Sequence, residues 1–270
     1  MYPRHKPRKL TRKQRRRLEE FKLAESEANG FSKSRRPNRR RQDEDMFAEY
    51  HKELTSPKTY KPEPLNPLTQ GQSEYLHSLR DDELPCVIVS GPAGTGKTYV
   101  AAAHFADELL AKKYEKMIIT RPIQEAADEG KIGFLPGDES QKTAPYFRPV
   151  KDVLEERLGK GRVDYLIEHG IIEFMPLELM RGTSLKNTCI IADEMQNCTK
   201  KQIELILSRV GEGSKISLDG DIRQTDIKES GLQDCINRFQ DSDYVDYIEF
   251  DIDDIVRSGF CREVILRYRD

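Results

Sequence analysis

Residues 85–98 constrain this chain more than any other stretch: Pro85-Cys86-Val87-Ile88-Val89-Ser90-Gly91-Pro92-Ala93-Gly94-Thr95-Gly96-Lys97-Thr98. The β-branched run Val87 to Val89 predicts a short buried strand, and Thr98-Tyr99-Val100-Ala101-Ala102-Ala103 reads as the first turns of a helix. Between them lies a turn rich in glycine, and Gly91 to Thr98 fits G-x-x-x-x-G-K-[ST], the phosphate-binding loop pattern. Glycines let backbone N–H groups turn inward around phosphate oxygens, and the helix N-terminus adds its positive dipole end. On this reading Gly91, Pro92, Ala93, Gly94, Thr95 and Gly96 surround the phosphates of ATP. Lys97 reaches the β and γ phosphates, and the Thr98 hydroxyl takes a place on Mg²⁺. A glycine-rich turn that binds nothing is the plain alternative.

A partner motif lies 96 residues beyond Lys97. The apolar run Thr188-Cys189-Ile190-Ile191-Ala192 predicts a strand that ends in Asp193-Glu194. In that position Asp193 holds Mg²⁺, mainly through water, and Glu194 polarises the attacking water. A further strand, Lys215 to Leu218, runs into Asp219-Gly220-Asp221-Ile222-Arg223-Gln224. A Gly-Asp-x-x-Gln turn there brings Asp221 and Gln224 toward Glu194, with Gln224 placed to sense the γ phosphate or the water. Alternatively Asp221 only caps the turn through a backbone bond.

Strands and helices alternate along the rest of the chain, predicting an α/β fold with a mostly parallel sheet flanked by helices. Thr69 with Gln72 three positions on is a capping box that opens a helix, and Gln72 is either that cap or a reader of the adenine ring. Lys116 to Thr120 predicts a strand followed at once by Arg121-Pro122. Arg121 can meet a nucleic-acid phosphate or the nucleotide, or be a surface arginine. Residues 123–150, with prolines, glycines and two aromatic clusters, read as a long ordered loop, and loops of that length are usually functional. Helices are expected at 150–158, 164–169, 199–210 and 231–239, with strands at 171–174 and 244–250. Arg257 reads as an arginine finger, acting in its own chain or on a neighbouring subunit, or as a salt-bridge partner of Asp253 or Asp254.

Charge divides the chain unevenly. Residues 1–41 carry 16 Lys or Arg against 4 Glu, leaving 29 against 43 acidic residues for the remainder. The first 45 residues have too little apolar material to bury and read as a basic arm for the phosphate backbone of RNA or single-stranded DNA. A solubilising tail is the other reading. Residues 46–66 read as a linker, and 67–270 as the nucleotide-binding domain. Five cysteines without a C-x-x-C pair argue against a disulfide framework and for a reducing, cytoplasmic setting. No apolar run is long enough to span a membrane, and no Cys/His cluster has zinc spacing.

Taken together, these motifs resemble the PhoH-like family of P-loop ATPases. The resemblance runs from about Leu68 to the C-terminus. It includes the glycine loop, Thr120-Arg121-Pro122, Gly133 to Asp138, Pro145 to Pro149, Met180-Arg181-Gly182, Ile190 to Asn197, Gly220 to Gln224 and Asp253 to Arg257. It implies a core like that of RecA and the superfamily 1 helicases, with Gln72 in the adenine-contact motif. Gly91–Thr98 and Asp193-Glu194 match the Walker A and B motifs, and Asp221 with Gln224 the third helicase motif. Assembly as a homo-oligomer is also implied, with a hexameric ring as one form and Arg257 facing a neighbour's nucleotide. The sequence departs from helicases in showing room for one core only, and it shows no PIN-type nuclease domain. Two functions follow as expectations: an ATPase that moves on or remodels RNA or DNA, or a nucleotide-switched binding or assembly protein with slow turnover.

Overall fold

The computed structural model describes residues 63–122, 139–180, 182 and 185–268, all within one compact unit that runs from Leu54 to Asp270. The basic arm, most of the expected linker and the segment 123–138 lie outside the described residues.

Six strands form one parallel sheet in the order β3-β2-β4-β5-β1-β6: β1 Cys86–Ser90, β2 Lys116–Thr120, β3 Ile172–Phe174, β4 Thr188–Ala192, β5 Lys215–Gly220 and β6 Val245–Glu249. The central strands β1, β4 and β5 are buried along their whole length. Strands covered on both faces read as continuous apolar runs rather than alternating ones, as Cys86 to Val89 and Cys189 to Ala192 do.

The two faces have separate cores. Val87, Val89, Met117, Ile119 and Ile191 pack under α1 (Gln70–Arg80), α2 (Lys97–Leu110), α3 (Glu139–Leu158) and α4 (Lys160–Glu168). Ile88, Ile118, Ile190, Ile216 and Leu218 pack under α5 (Lys200–Leu207) and α6 (Gly231–Arg238). A last helix, α7 (Gly259–Arg267), buries none of its residues. Lys215, buried at the start of β5, donates to the carbonyls of Ser78 and Asp81 and so holds the C-terminal end of α1.

Two expectations change, at residues 139–150 and at the end of the linker. Residues 139–150 are not loop: α3 starts at Glu139 and runs through Pro145 and Pro149 to Leu158. Each proline costs the helix about 3 kcal/mol. Phe147, Val150, Leu154 and Leu158 lie on one buried face, and each recovers about 1.5–3 kcal/mol on burial. The strand expected near 244–250 forms as β6, the edge strand beside β1. The end of the expected linker belongs to the fold, because Leu65 packs on the first core. All five cysteines are free thiols, four of them buried. Among the described residues no helix is long and apolar enough to cross a membrane.

Candidate functional site

The C-terminal ends of β1, β2, β4 and β5 converge, which is where open parallel sheets bind their ligands. Residues 91–96 leave β1 as a loop most of whose carbonyls are taken up by donors of the protein. Lys97 Nζ donates to the carbonyls of Gly91 at 2.7 Å and Pro92 at 2.9 Å. Val256 N–H bonds the Gly94 carbonyl, and Gln72 Nε2 bonds that of Thr95 at 2.9 Å. Among the described residues no acceptor takes the N–H groups of Ala93, Gly94, Thr95 or Gly96. Gly96 caps α2 without any side-chain bond, so the helix's first donors stand open as well. Such a lining of unpartnered N–H groups at a helix start suits an anion.

Gly94 and Gly96 hold φ of +83° and +85°, and both are pressed from outside. A Cβ on Gly96 would lie 2.8 Å from Gln72 Nε2, and one on Gly94 would lie 2.6 Å from Arg257 Cγ. The loop separates two cavities. One, of about 500 Å³, is lined by Leu65, Leu68, Gln72, Tyr99 and Val256 among others. The other, of about 350 Å³, holds the acidic groups: Asp193, Glu194, Asp221 and Gln224 face Lys97 and Thr98 across it. Arg257 lines both.

Most predicted residues therefore meet. Thr98 Oγ1 donates to Asp193 Oδ1 at 3.2 Å. Burial, then repulsion from Glu194, raises the Asp193 carboxyl above its ordinary range, opposed by Arg121 and the Thr98 bond. Burial draws the Lys97 ammonium down, against the pull of Asp219, Asp221, Glu194 and Asp193. A magnesium ion keeps several waters and needs one or two protein oxygens besides phosphates. The Thr98 hydroxyl and Asp193 carboxylate fit that demand beside the open N–H lining. Among the described residues no group of three His, Cys, Asp or Glu could cage a metal by itself.

Other predicted residues sit differently. Both ends of the Gln72 amide are taken by main chain, since Oε1 accepts the Leu68 N–H at 2.9 Å while Nε2 holds Thr95. The capping box is therefore half formed: Thr69 accepts the Gln72 N–H, but the Gln72 side chain turns to the loop instead. Asp221 does make the turn-capping bond, accepting the Arg223 N–H at 3.0 Å, and yet lines the acidic cavity. Arg257 forms no ion pair with Asp253 or Asp254. Arg262 pairs with Asp253, and Asp254 accepts the N–H groups of Gly71 and Asp251. Arg257 instead lies against its own chain's Gly94. Arg121 is no surface arginine: its side chain is 19% exposed and faces Asp193 and Glu194.

Two groups escaped the sequence reading. Gln196, 3% exposed, joins Glu194 to Asp221 by donating to the first and accepting the N–H of the second. It stands two residues past the acidic pair, but nothing in that spacing marks it as buried. Asp219 lies wholly buried behind Lys97, with Tyr75 and Ser217 bonding Oδ1. It lies one residue ahead of the Gly-Asp-x-x-Gln turn, outside that pattern.

The family profile described as PhoH-like protein matches residues 64–269. The chain is 38% identical over 210 residues to Protein PhoH of Escherichia coli (strain K12), covering 76% of this chain and 58% of that protein. It is 39% identical over 222 residues to the PhoH-like protein of Bacillus subtilis (strain 168), covering 81% and 68%. The chain thus spans less than two thirds of the Escherichia coli relative. Among solved structures, the large terminase from a thermophilic bacteriophage superposes with a TM-score of 0.50 at 14% identity, over 75% of this chain and 50% of that one. That likeness concerns the fold alone. A phosphate-loop sheet of the P-loop nucleoside triphosphatase type, matched along nearly its whole length by the family profile, makes this chain a member of the PhoH-like protein family.

Proposed function

We infer that the chain binds ATP with Mg²⁺ and hydrolyses it, and that turnover is coupled to binding or remodelling RNA or single-stranded DNA by an oligomer. One observation carries the hydrolysis: the Thr98 hydroxyl and the Asp193 carboxylate meet at 3.2 Å beside the loop whose N–H groups from Ala93 to Gly96 have no acceptor among the described residues.

The steps follow from the chain's own groups. Binding draws Lys97 from the Gly91 and Pro92 carbonyls toward the β and γ phosphates, whose charge outweighs two carbonyl dipoles. Thr98 and Asp193 would hold Mg²⁺, which when bound would supply charge neutralisation for the phosphates. Glu194 takes the proton of the attacking water, and Gln224, exposed and lining the same cavity, orients that water or the γ phosphate. Arg257 reaches the nucleotide from within its own chain, over Gly94, rather than from a neighbour. The base lies in the cavity between Leu68, Tyr99 and Val256.

Nucleic-acid binding rests on the excess of basic residues in 1–41. Five free cysteines accord with a cytoplasmic setting. The test is ATP turnover with and without RNA or single-stranded DNA, for the full chain and for one lacking residues 1–41. Stimulation that is lost with the arm is the expected result. Equal rates throughout would instead support a nucleotide-switched assembly protein. Glu194→Gln should keep ATP binding and lose turnover; turnover at the normal rate would assign the base elsewhere.

A further inference from the structure

Arg121 follows β2, and its backbone is fixed on both sides. The Thr120 carbonyl accepts the Asp193 N–H at 2.9 Å, and the Arg121 carbonyl accepts that of Leu177 at 3.3 Å. This holds the arginine abreast of the acidic pair. Its guanidinium sits between the two carboxylates, Nη1 3.8 Å from Asp193 Oδ2 and Nη2 3.8 Å from Glu194 Oε1. Both distances exceed hydrogen-bond reach. Nη1 donates at 2.6 Å to the carbonyl of Tyr146 in α3, and Cζ lies 6.0 Å from the Tyr146 ring centroid. Nε is buried with no partner among the described residues. A guanidinium that, among the described residues, uses one of its five donors, with two carboxylates just out of hydrogen-bond range, is held off them by the helix.

The helix at that point is the weakest part of α3. Pro145 and Pro149 flank the Tyr146 turn, and each removes an N–H from the ladder. Pro149 and Val153 of the same helix line the acidic cavity. Arg121 itself does not line it, so it acts on the reaction through other residues.

We propose that Arg121 is a positioning residue that sets the placement of Asp193 and Glu194 according to the position of the 145–149 turn of α3. This rests on the hydrolytic reading above. A shift of that turn moves the guanidinium, and the guanidinium moves the carboxylates, while the glycine loop stays bound to Gln72 and Val256.

The test uses the full chain with Arg121→Ala, Arg121→Lys and Tyr146→Ala. Two quantities are read: kcat against KM for ATP, and the Mg²⁺ concentration that half-saturates binding of a non-hydrolysable fluorescent ATP analogue. Arg121→Ala should lower kcat about 10- to 100-fold with KM within about twofold. Removing the cation beside Asp193 should also make Mg²⁺ bind about tenfold more tightly. Arg121→Lys keeps the charge without the planar fork, so Mg²⁺ affinity should return to normal while kcat stays low. Tyr146→Ala should lower kcat, and adding it to Arg121→Ala should lower it no further. Normal kcat in Arg121→Ala, loss of nucleotide binding together with turnover, or additive effects of the two substitutions would each overturn the proposal. Should the unaltered chain not turn over ATP, the hydrolytic reading fails, and the Mg²⁺ titrations still decide whether Arg121 acts on the acidic pair.

Discussion

Gln196 Nε2 donates to Glu194 Oε2 at 2.6 Å, from a residue that is almost fully buried, while the Glu194 side chain is 44% exposed. Glu194 also stands at a φ of +57°, a conformation that few residues other than glycine adopt. A half-exposed carboxylate on such a backbone would sample several rotamers without a fixed donor. Gln196 supplies that donor, and its Oε1 accepts the Asp221 N–H at 3.1 Å, tying the end of β4 to the end of β5.

On the proposed hydrolytic reading, Gln196→Ala should therefore lower ATP turnover about 10- to 100-fold with little change in nucleotide affinity, because it frees Glu194 rather than the glycine loop. Steady-state kinetics beside equilibrium binding of a non-hydrolysable analogue would check it. A raised KM with kcat intact would show that Gln196 serves binding instead.

Gln72 bonds the loop at Thr95 and the chain at Leu68, so its amide is occupied before any base arrives. Gln72→Ala is expected to weaken ATP and GTP binding by the same factor, as loss of a loop anchor would. It should also cost about 1–3 kcal/mol of stability, because the buried Thr95 carbonyl loses its donor. A loss confined to ATP would restore the adenine-reading role.

Gly94→Ala and Gly96→Ala both strain a left-handed backbone, by about 1–2 kcal/mol each. They differ in what the new methyl meets. On Gly94 it strikes Arg257 Cγ, and on Gly96 the bonded Gln72 amide. Arg257→Ala should recover part of the stability lost in Gly94→Ala and none of that lost in Gly96→Ala. Denaturant midpoints of the singles and doubles give the answer, and equal recovery in both would disprove the packing assigned to Arg257.

Asp219 gives the fold a pH dependence. Burial first, and the charge of Asp193 second, push its carboxyl up to about 7, against the pull of Lys97 and of the Ser217 and Tyr75 bonds. Unfolded, it titrates near 3.9. Between those values the folded chain keeps a proton that the unfolded chain releases, so stability falls as pH rises through that window. Asp219→Asn should flatten this slope and leave the protein more stable than the original at pH 8, by a few kcal/mol at most. Denaturation at pH 5 and pH 8 would measure it, and two parallel curves would contradict the assignment.

Local chemistry was legible from residues alone wherever a motif is contiguous. The glycine loop needs Gly94 and Gly96 at positive φ, and the strand ahead of it needs its unbroken apolar run, so Gly91 to Thr98 could be placed without coordinates. The acidic pair at the end of β4 was legible for the same reason. The course of α3 was not. Two prolines argue locally against a helix, and only the burial of Phe147, Val150, Leu154 and Leu158 against the sheet reverses that preference.

What the sequence determined by itself is a glycine loop after one strand and two carboxylates after another in a parallel α/β fold, since strand burial and glycine geometry are local demands. What only the tertiary structure decided is which other side chains reach that site. Gln72, Arg121, Gln196 and Arg257 come from four separate segments, and the order of strands in the sheet brings them together. Whether a long polar side chain turns inward depends on the space and partners it finds there, and those are contributed by residues far away along the chain.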